Sequence, residues 1–110
     1  MRYVCLVYMA GKDLDAIPDR ECATFADGLR ASGRYVAADA LEPVDTATTV
    51  RVRHGRATIT DGPFAETKEQ LAGFYVIEAQ TLDEAIEVAS RIPPARVGSI
   101  EVRPVRTLSA

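Results

Sequence analysis

"GFYVIEAQTLDEAIEVASRIPPARVGSIEVRPV", residues 73–105, is the stretch that decides the fold. Gly73 to Ala79 is apolar at odd and even positions alike, with Phe74 and Val76 opposing Tyr75 and Ile77, which marks a strand covered on both faces. Thr81-Leu82-Asp83-Glu84 then has the spacing of a capping box. From it Leu82, Ala85, Ile86, Ala89 and Ile92 recur on one helical face until Pro93-Pro94 forbids continuation. "VGSIEVRPV" closes the stretch with another strand, so this part of the chain reads strand, helix, strand.

The first part repeats the theme. "RYVCLVYMA", Arg2 to Ala10, is a strand with apolar residues on both faces. Pro18 suits a first helical position, and Cys22, Phe25, Ala26 and Leu29 keep helical spacing until Gly33 stops them. "RYVAADALEP" gives a short strand ended by Pro43. Between the two units lies a hairpin. "TATTVRVR" alternates, His54-Gly55 makes a two-residue turn with Gly55 at positive φ, and "ATIT" returns antiparallel. That turn pairs Arg53 with Arg56, Val52 with Ala57, Arg51 with Thr58, Val50 with Ile59 and Thr48 with Asp61. The order predicts an α+β chain, a ferredoxin-like split βαβ sandwich with an inserted β-hairpin, and 110 residues make it a single domain, 1–110.

Two helices cover one face of such a sheet, yet Val4, Leu6 and Tyr8 oppose Tyr3, Cys5, Val7 and Met9. A second apolar face left bare would exceed the patch that soluble monomers usually expose. Burying about 400 Å² of it per copy contributes on the order of 10 kcal/mol before association costs. A homodimer, sheet against sheet, is therefore expected.

A composition of 47% hydrophobic and 26% charged residues with net charge −3 is that of a soluble globular chain and offers no broad basic surface for nucleic acid. The apolar run Tyr3 to Ala10 is too short to span a membrane and lacks the layout of a secretory signal, which predicts a cytoplasmic protein without a membrane partner. Cys5 and Cys22 have neither the number nor the spacing of a disulfide framework or a zinc site, and read as reduced thiols in apolar settings. With one histidine and no tight carboxylate cluster, no metal site is expected; no Gly-rich phosphate loop or nucleophile elbow appears, and no cofactor is expected.

The chemistry-bearing stretch is "TDGPFAETKEQLAGFY", Thr60 to Tyr75. The hairpin face Val50, Val52, Ala57, Ile59 ends in Asp61, so a period of two carries this carboxylate toward the buried side. Two readings stand beside each other. In one, Asp61 begins an Asx-type turn through Gly62-Pro63, satisfied by backbone amides, with Phe64 plugging the core. In the other, a partly desolvated Asp61 is a catalytic general acid or base, with Lys68 orienting a ligand and Tyr8 or Tyr75 offering a hydroxyl within an apolar cavity. Glu66, Lys68 and Glu69 taken alone are a solvated turn. His54, at the hairpin tip, projects into solvent.

The run "TATTVRVRHGRATITDGPFAETKEQLAGFYVIEAQTLDEAIEVASRIPPARVGSIEVRPV" resembles the DGPF branch of the YCII-related proteins, named for the residues that stand here as Asp61, Gly62, Pro63 and Phe64. The resemblance covers nearly the whole chain. It implies a dimeric α+β barrel of ferredoxin-like protomers. In some relatives a histidine of the first helix works with an aspartate in a pocket, and one resembles enzymes that eliminate halide from chlorinated aromatic rings. The first helix here, "PDRECATFADGLRAS", has no histidine, so Asp61 alone carries over. The branch also implies a functional link to an extracytoplasmic-function sigma factor.

The expectation is thus a homodimer that binds a small molecule in a pocket near the Asp61 loop. The alternative is a cofactor-free lyase or isomerase using Asp61 by proton transfer. RNA-recognition modules share the element order, but their stacking aromatics and basic signature are missing from these strands.

Overall fold

The computed structural model describes residues 1–109. In chain order the elements are β1 (Arg2–Met9), α1 (Asp19–Ala31), β2 (Tyr35–Ala40), β3 (Thr48–Arg53), β4 (Arg56–Asp61), β5 (Gln70–Glu78), α2 (Leu82–Ser90) and β6 (Ser99–Pro104), with short 3₁₀ turns between some of them. Four strands form one antiparallel sheet in the order β2-β5-β1-β6; β3 and β4 form a separate two-stranded sheet. The α+β order is the one expected, with the two central strands being the two-faced apolar runs.

Local chemistry sets the boundaries. Thr81 caps α2 by accepting from the Glu84 backbone N–H at 3.1 Å, while the Glu84 carboxylate reaches Arg34 at 3.1 Å and ties α2 to the start of β2. Gly33, at φ 76°, follows the end of α1 as the left-handed residue that many helix ends require. Gly98 lets the chain enter β6 against β1, since a Cβ there would collide with the Tyr8 carbonyl oxygen.

The core lies between the helices and one face of the large sheet. Tyr3, Cys5, Val7 and Met9 of β1 and Tyr75, Ile77 and Ala79 of and beside β5 are buried against Leu29 of α1 and Ala85, Val88 and Ala89 of α2. The expected α2 face needs correction: Leu82 and Ile86 are exposed, while Val88 and Ile92 are buried. Ala85 and Ala89 belong to two overlapping stripes. The stripe 85, 88, 89, 92 faces the sheet because the small alanines let the helix approach closely and Val88 and Ile92 fill the space on either side.

On the opposite face, cross-strand pairing gathers Val4 with Val76 and Leu6 with Phe74, flanked by Tyr8 and Leu71. Arg103 and Glu101 of β6 pair with Val4 and Leu6 at one margin, and Asp39 of β2 pairs with Phe74 at the other. Both helices lie on the other side, so among the described residues no element covers this apolar field with its charged margins. The molecule is a slab of 46 × 42 × 19 Å. Its radius of gyration, 15.6 Å, exceeds the roughly 13 Å of a compact chain of this length.

The β3–β4 pairing has the expected register throughout. His54 at φ 52° and Gly55 at φ 74° form the turn, both left-handed as a type I′ hairpin requires. The surroundings differ from expectation. Because the hairpin is not joined to the large sheet, the side that carries Val50, Val52, Ile59 and Asp61 lies open, and Ile59 is 69% exposed. Asp61 is exposed, not turned into a core. Phe64 does not plug the core either: it is 76% exposed, and the Arg51 guanidinium sits 5.3 Å from its ring centre. The hairpin base is held by Gly62 N–H donating to Ala47 O at 2.7 Å and Thr49 Oγ1 donating to Gly62 O at 2.8 Å.

Candidate functional site

Small side chains on facing elements make a space. From α1 come Cys22, Ala23 and Ala26; from the sheet come Ala38, Ala72 and Gly73. Gly73 in turn permits β2 to lie close, since a Cβ there would stand 2.9 Å from the Asp39 carbonyl oxygen. The result is an open cavity of about 560 Å³ under the first half of α1, floored by Val7, Met9 and Tyr75 and closed at one end by Leu14 and Ile17. That volume is in the range of small-molecule sites.

Three contacts hold the helix over the space. Leu29 is the buried residue of α1 and anchors its C-terminal end. Phe25 meets Tyr75 edge to face at 5.5 Å between ring centres. Near the N-terminal end Glu21 forms a two-pronged ion pair with Arg96, one contact at 3.1 Å, which keeps the Glu21 carboxyl below its ordinary range.

Tyr75 and Cys22 are the polar pair inside. Burial pushes the Tyr75 phenol up to about 12, with the neighbouring Cys22 thiol adding to the effect through charge and a hydrogen bond. Burial also raises the Cys22 thiol, aided by Asp19 and Glu21 and opposed by Arg96 and the bond to Tyr75. Both therefore stay protonated at neutral pH, and the phenol can donate a hydrogen bond to an oxygen of a bound molecule. Asp15, Asp19 and Glu42 also line the cavity, and among the described residues no basic side chain does. Among the described residues no three His, Cys, Asp or Glu side chains converge to hold a metal ion, and no helix is long and apolar enough to cross a membrane.

The four residues expected at a site are not brought together within one chain. Tyr75 lies on the cavity floor. Tyr8 pairs with Leu71 and Ser99 on the face turned away from the helices. Lys68 is exposed on the loop between β4 and β5, where Gln70 Nε2 donates to Ala65 O and Thr67 O, each at 3.1 Å. Asp61 stands at the end of β4, outside the cavity lining. Sequence reasoning missed Cys22 as a lining residue by reading it as an ordinary apolar helix position. A usable signal was present: Cys22, Ala23 and Ala26 are all small, on the face meant to pack.

A family model for the YCII-related domain matches residues 1–109. The chain belongs to the YCII-related family. An uncharacterized protein of Rhizobium meliloti (strain 1021) is 49% identical over 67 residues, 59% of this chain; the chain spans about half the length of that curated relative, 54%. Among solved structures, the fold is similar to 5-chloro-2-hydroxyhydroquinone dehydrochlorinase (TftG) from Burkholderia phenoliruptrix, determined with 2,5-dihydroxybenzoquinone, at a TM-score of 0.58. The likeness covers 96% of this chain and 94% of that one at 14% identity, and it is a likeness of fold.

Proposed function

We propose that this YCII-related protein, of the DGPF branch, is a cytoplasmic homodimer that binds a small, weakly polar molecule of about the size of a substituted aromatic ring in the cavity beneath α1. The observation that carries the reading is a ligand-sized space with an apolar floor and two protonated polar groups in its lining, the Tyr75 phenol and the Cys22 thiol. The apolar field of Val4, Leu6, Phe74 and Val76, with charges only at its margins, supports the dimer, since that is the layout of a protein interface. The branch resemblance further suggests service beside an extracytoplasmic-function sigma factor.

The test is calorimetric titration with a panel of hydroxylated aromatic compounds. Tyr75→Phe, which removes only the donor, is expected to weaken a binding compound by about tenfold. Ala26→Phe, which fills the space from α1, is expected to abolish binding while the protein stays folded. Unchanged affinity in the filled variant sinks the cavity reading.

A second reading, a lyase acting by proton transfer with Asp61 as acid or base, draws on the fold likeness to a dehydrochlorinase. It requires Asp61 to reach a cavity that its own chain does not offer it, and so depends on a second copy. Loss of turnover in Asp61→Asn with ligand affinity retained would support it.

A further inference from the structure

Two features of the chain are each incomplete, and they complement one another. The first is the β3–β4 arm. Val50 and Val52 of β3 pair with Ile59 and Ala57 of β4, so one side of the arm is apolar, and Val50, Val52 and Ile59 are more than half exposed. An isolated two-stranded hairpin is marginal in water and needs a surface against that side. The other side and the tip carry Arg51, Arg53, His54 and Arg56, and from Thr46 to Thr60 there is no acidic residue. The second feature is the cavity, whose lining includes Asp15, Asp19 and Glu42 and, among the described residues, no basic side chain. The chain as a whole carries net charge −3, so the arm is a local exception to its own protein.

We infer that the β3–β4 arm is a clasp between copies: its apolar side packs on a second copy of this chain, and Arg53 and Arg56, which flank its turn, reach past the edge of that contact to the carboxylates lining that copy's ligand cavity. This rests on the dimer and cavity of the proposed function and adds to it a trans contribution, which makes the site incomplete in one chain. Charge complementarity selects the occupant, because like charges brought together are disfavoured and opposite patches steer the docking.

The experiment is a cross-link between two distinguishable chains. One carries His54→Cys with Cys22→Ser, so that its one reactive thiol is at the arm tip; the other is unaltered and offers Cys22 in the cavity. Cys5 is fully buried in both. After mixing, a short bismaleimide is expected to give a covalent species of twice the chain mass. Adding Arg53→Glu and Arg56→Glu to the first chain is expected to lower its yield by about tenfold at low salt, and Asp19→Lys with Glu42→Lys in the second to restore it. Absence of the species in a sample that light scattering shows to be dimeric overturns the clasp and leaves the sheet-face dimer intact. So does a yield unmoved by the arginine reversals. A monomer in light scattering overturns the dimer and the clasp with it.

Discussion

The two helices sit on the same side of the same sheet and do different things. α2, with nine residues, buries Ala85, Val88 and Ala89 and runs on into buried Ile92, Pro93 and Pro94. α1, with thirteen, buries Leu29 alone and touches the sheet elsewhere through half-buried side chains. The difference is one of side-chain volume at equivalent positions. Where α2 presents Val88 to the sheet and the turn after it adds Ile92, the first half of α1 presents Cys22, Ala23 and Ala26 to alanines and a glycine. One half of the sandwich closes on a dry core. The other, with the same topology, stands off and leaves a room.

The two thiols offer the largest expected effect that separates these halves. Cys5 lies in the closed part at 0% exposure, and burial pushes its thiol from 9.0 up to about 11. A folded value above the unfolded one favours the protonated form in the folded state, so its contribution is complete below pH 9 and is lost as pH rises toward 11. The loss amounts to roughly 3 kcal/mol. Denaturant melts at pH 8, 9, 10 and 11 are expected to show stability falling across that range, and Cys5→Ala to flatten the fall, leaving the part due to Tyr75 that extends to about 12. A thiol reagent at neutral pH is expected to modify Cys22 and to spare Cys5 until the chain unfolds. An equal rate at both would mean that the two halves breathe alike.

A pair of opposite substitutions sharpens the volume argument. Val88→Ala, in the closed half, is expected to cost about 2 kcal/mol as a cavity-forming change. Ala26→Leu, in the open half, enlarges a side chain that faces empty space and is expected to change stability by less than about 0.5 kcal/mol, since overpacking requires contact that is not there. Chemical denaturation of both variants decides it. A large cost for Ala26→Leu would show that α1 closes down onto the sheet in solution.

How much of this was legible beforehand follows from the range of the signals. The two apolar strands, the Thr81 cap, the proline stop after Ile92 and the hairpin register are local, set by neighbours along the chain or by a single turn, and they stand as the sequence predicts. The facing of α2 was ambiguous because alanines belong to two stripes and only the sheet chooses between them. Asp61 and Phe64 were misplaced for a different reason. Alternation says which residues share a side of the hairpin, and it cannot say whether anything lies against that side. The cavity was invisible for the same cause, since it arises from small residues of α1, β2 and β5 that meet only in three dimensions.

The smallest effect concerns what keeps α1 in place. With Leu29 far down the helix, the Glu21–Arg96 pair tethers the N-terminal end to the 3₁₀ turn after α2. Both partners are exposed, so water screens most of the attraction and little stability is expected to hang on it. Its pH dependence has a definite sign. The Glu21 carboxyl is held below its ordinary value, so the contribution is present above about pH 4.5 and is lost as pH falls through the lowered value. Arg96→Ala should therefore barely move the melting temperature at pH 7, yet it should loosen the open half and not the closed one. Amide exchange separates these outcomes: faster exchange over residues 19–26 with α2 unchanged is expected, because a frayed end of a helix opens locally without unfolding its neighbours. Uniform acceleration over both helices would instead mean that α1 and α2 form one cooperative unit, and that the cavity is a rigid gap rather than a room with a movable wall.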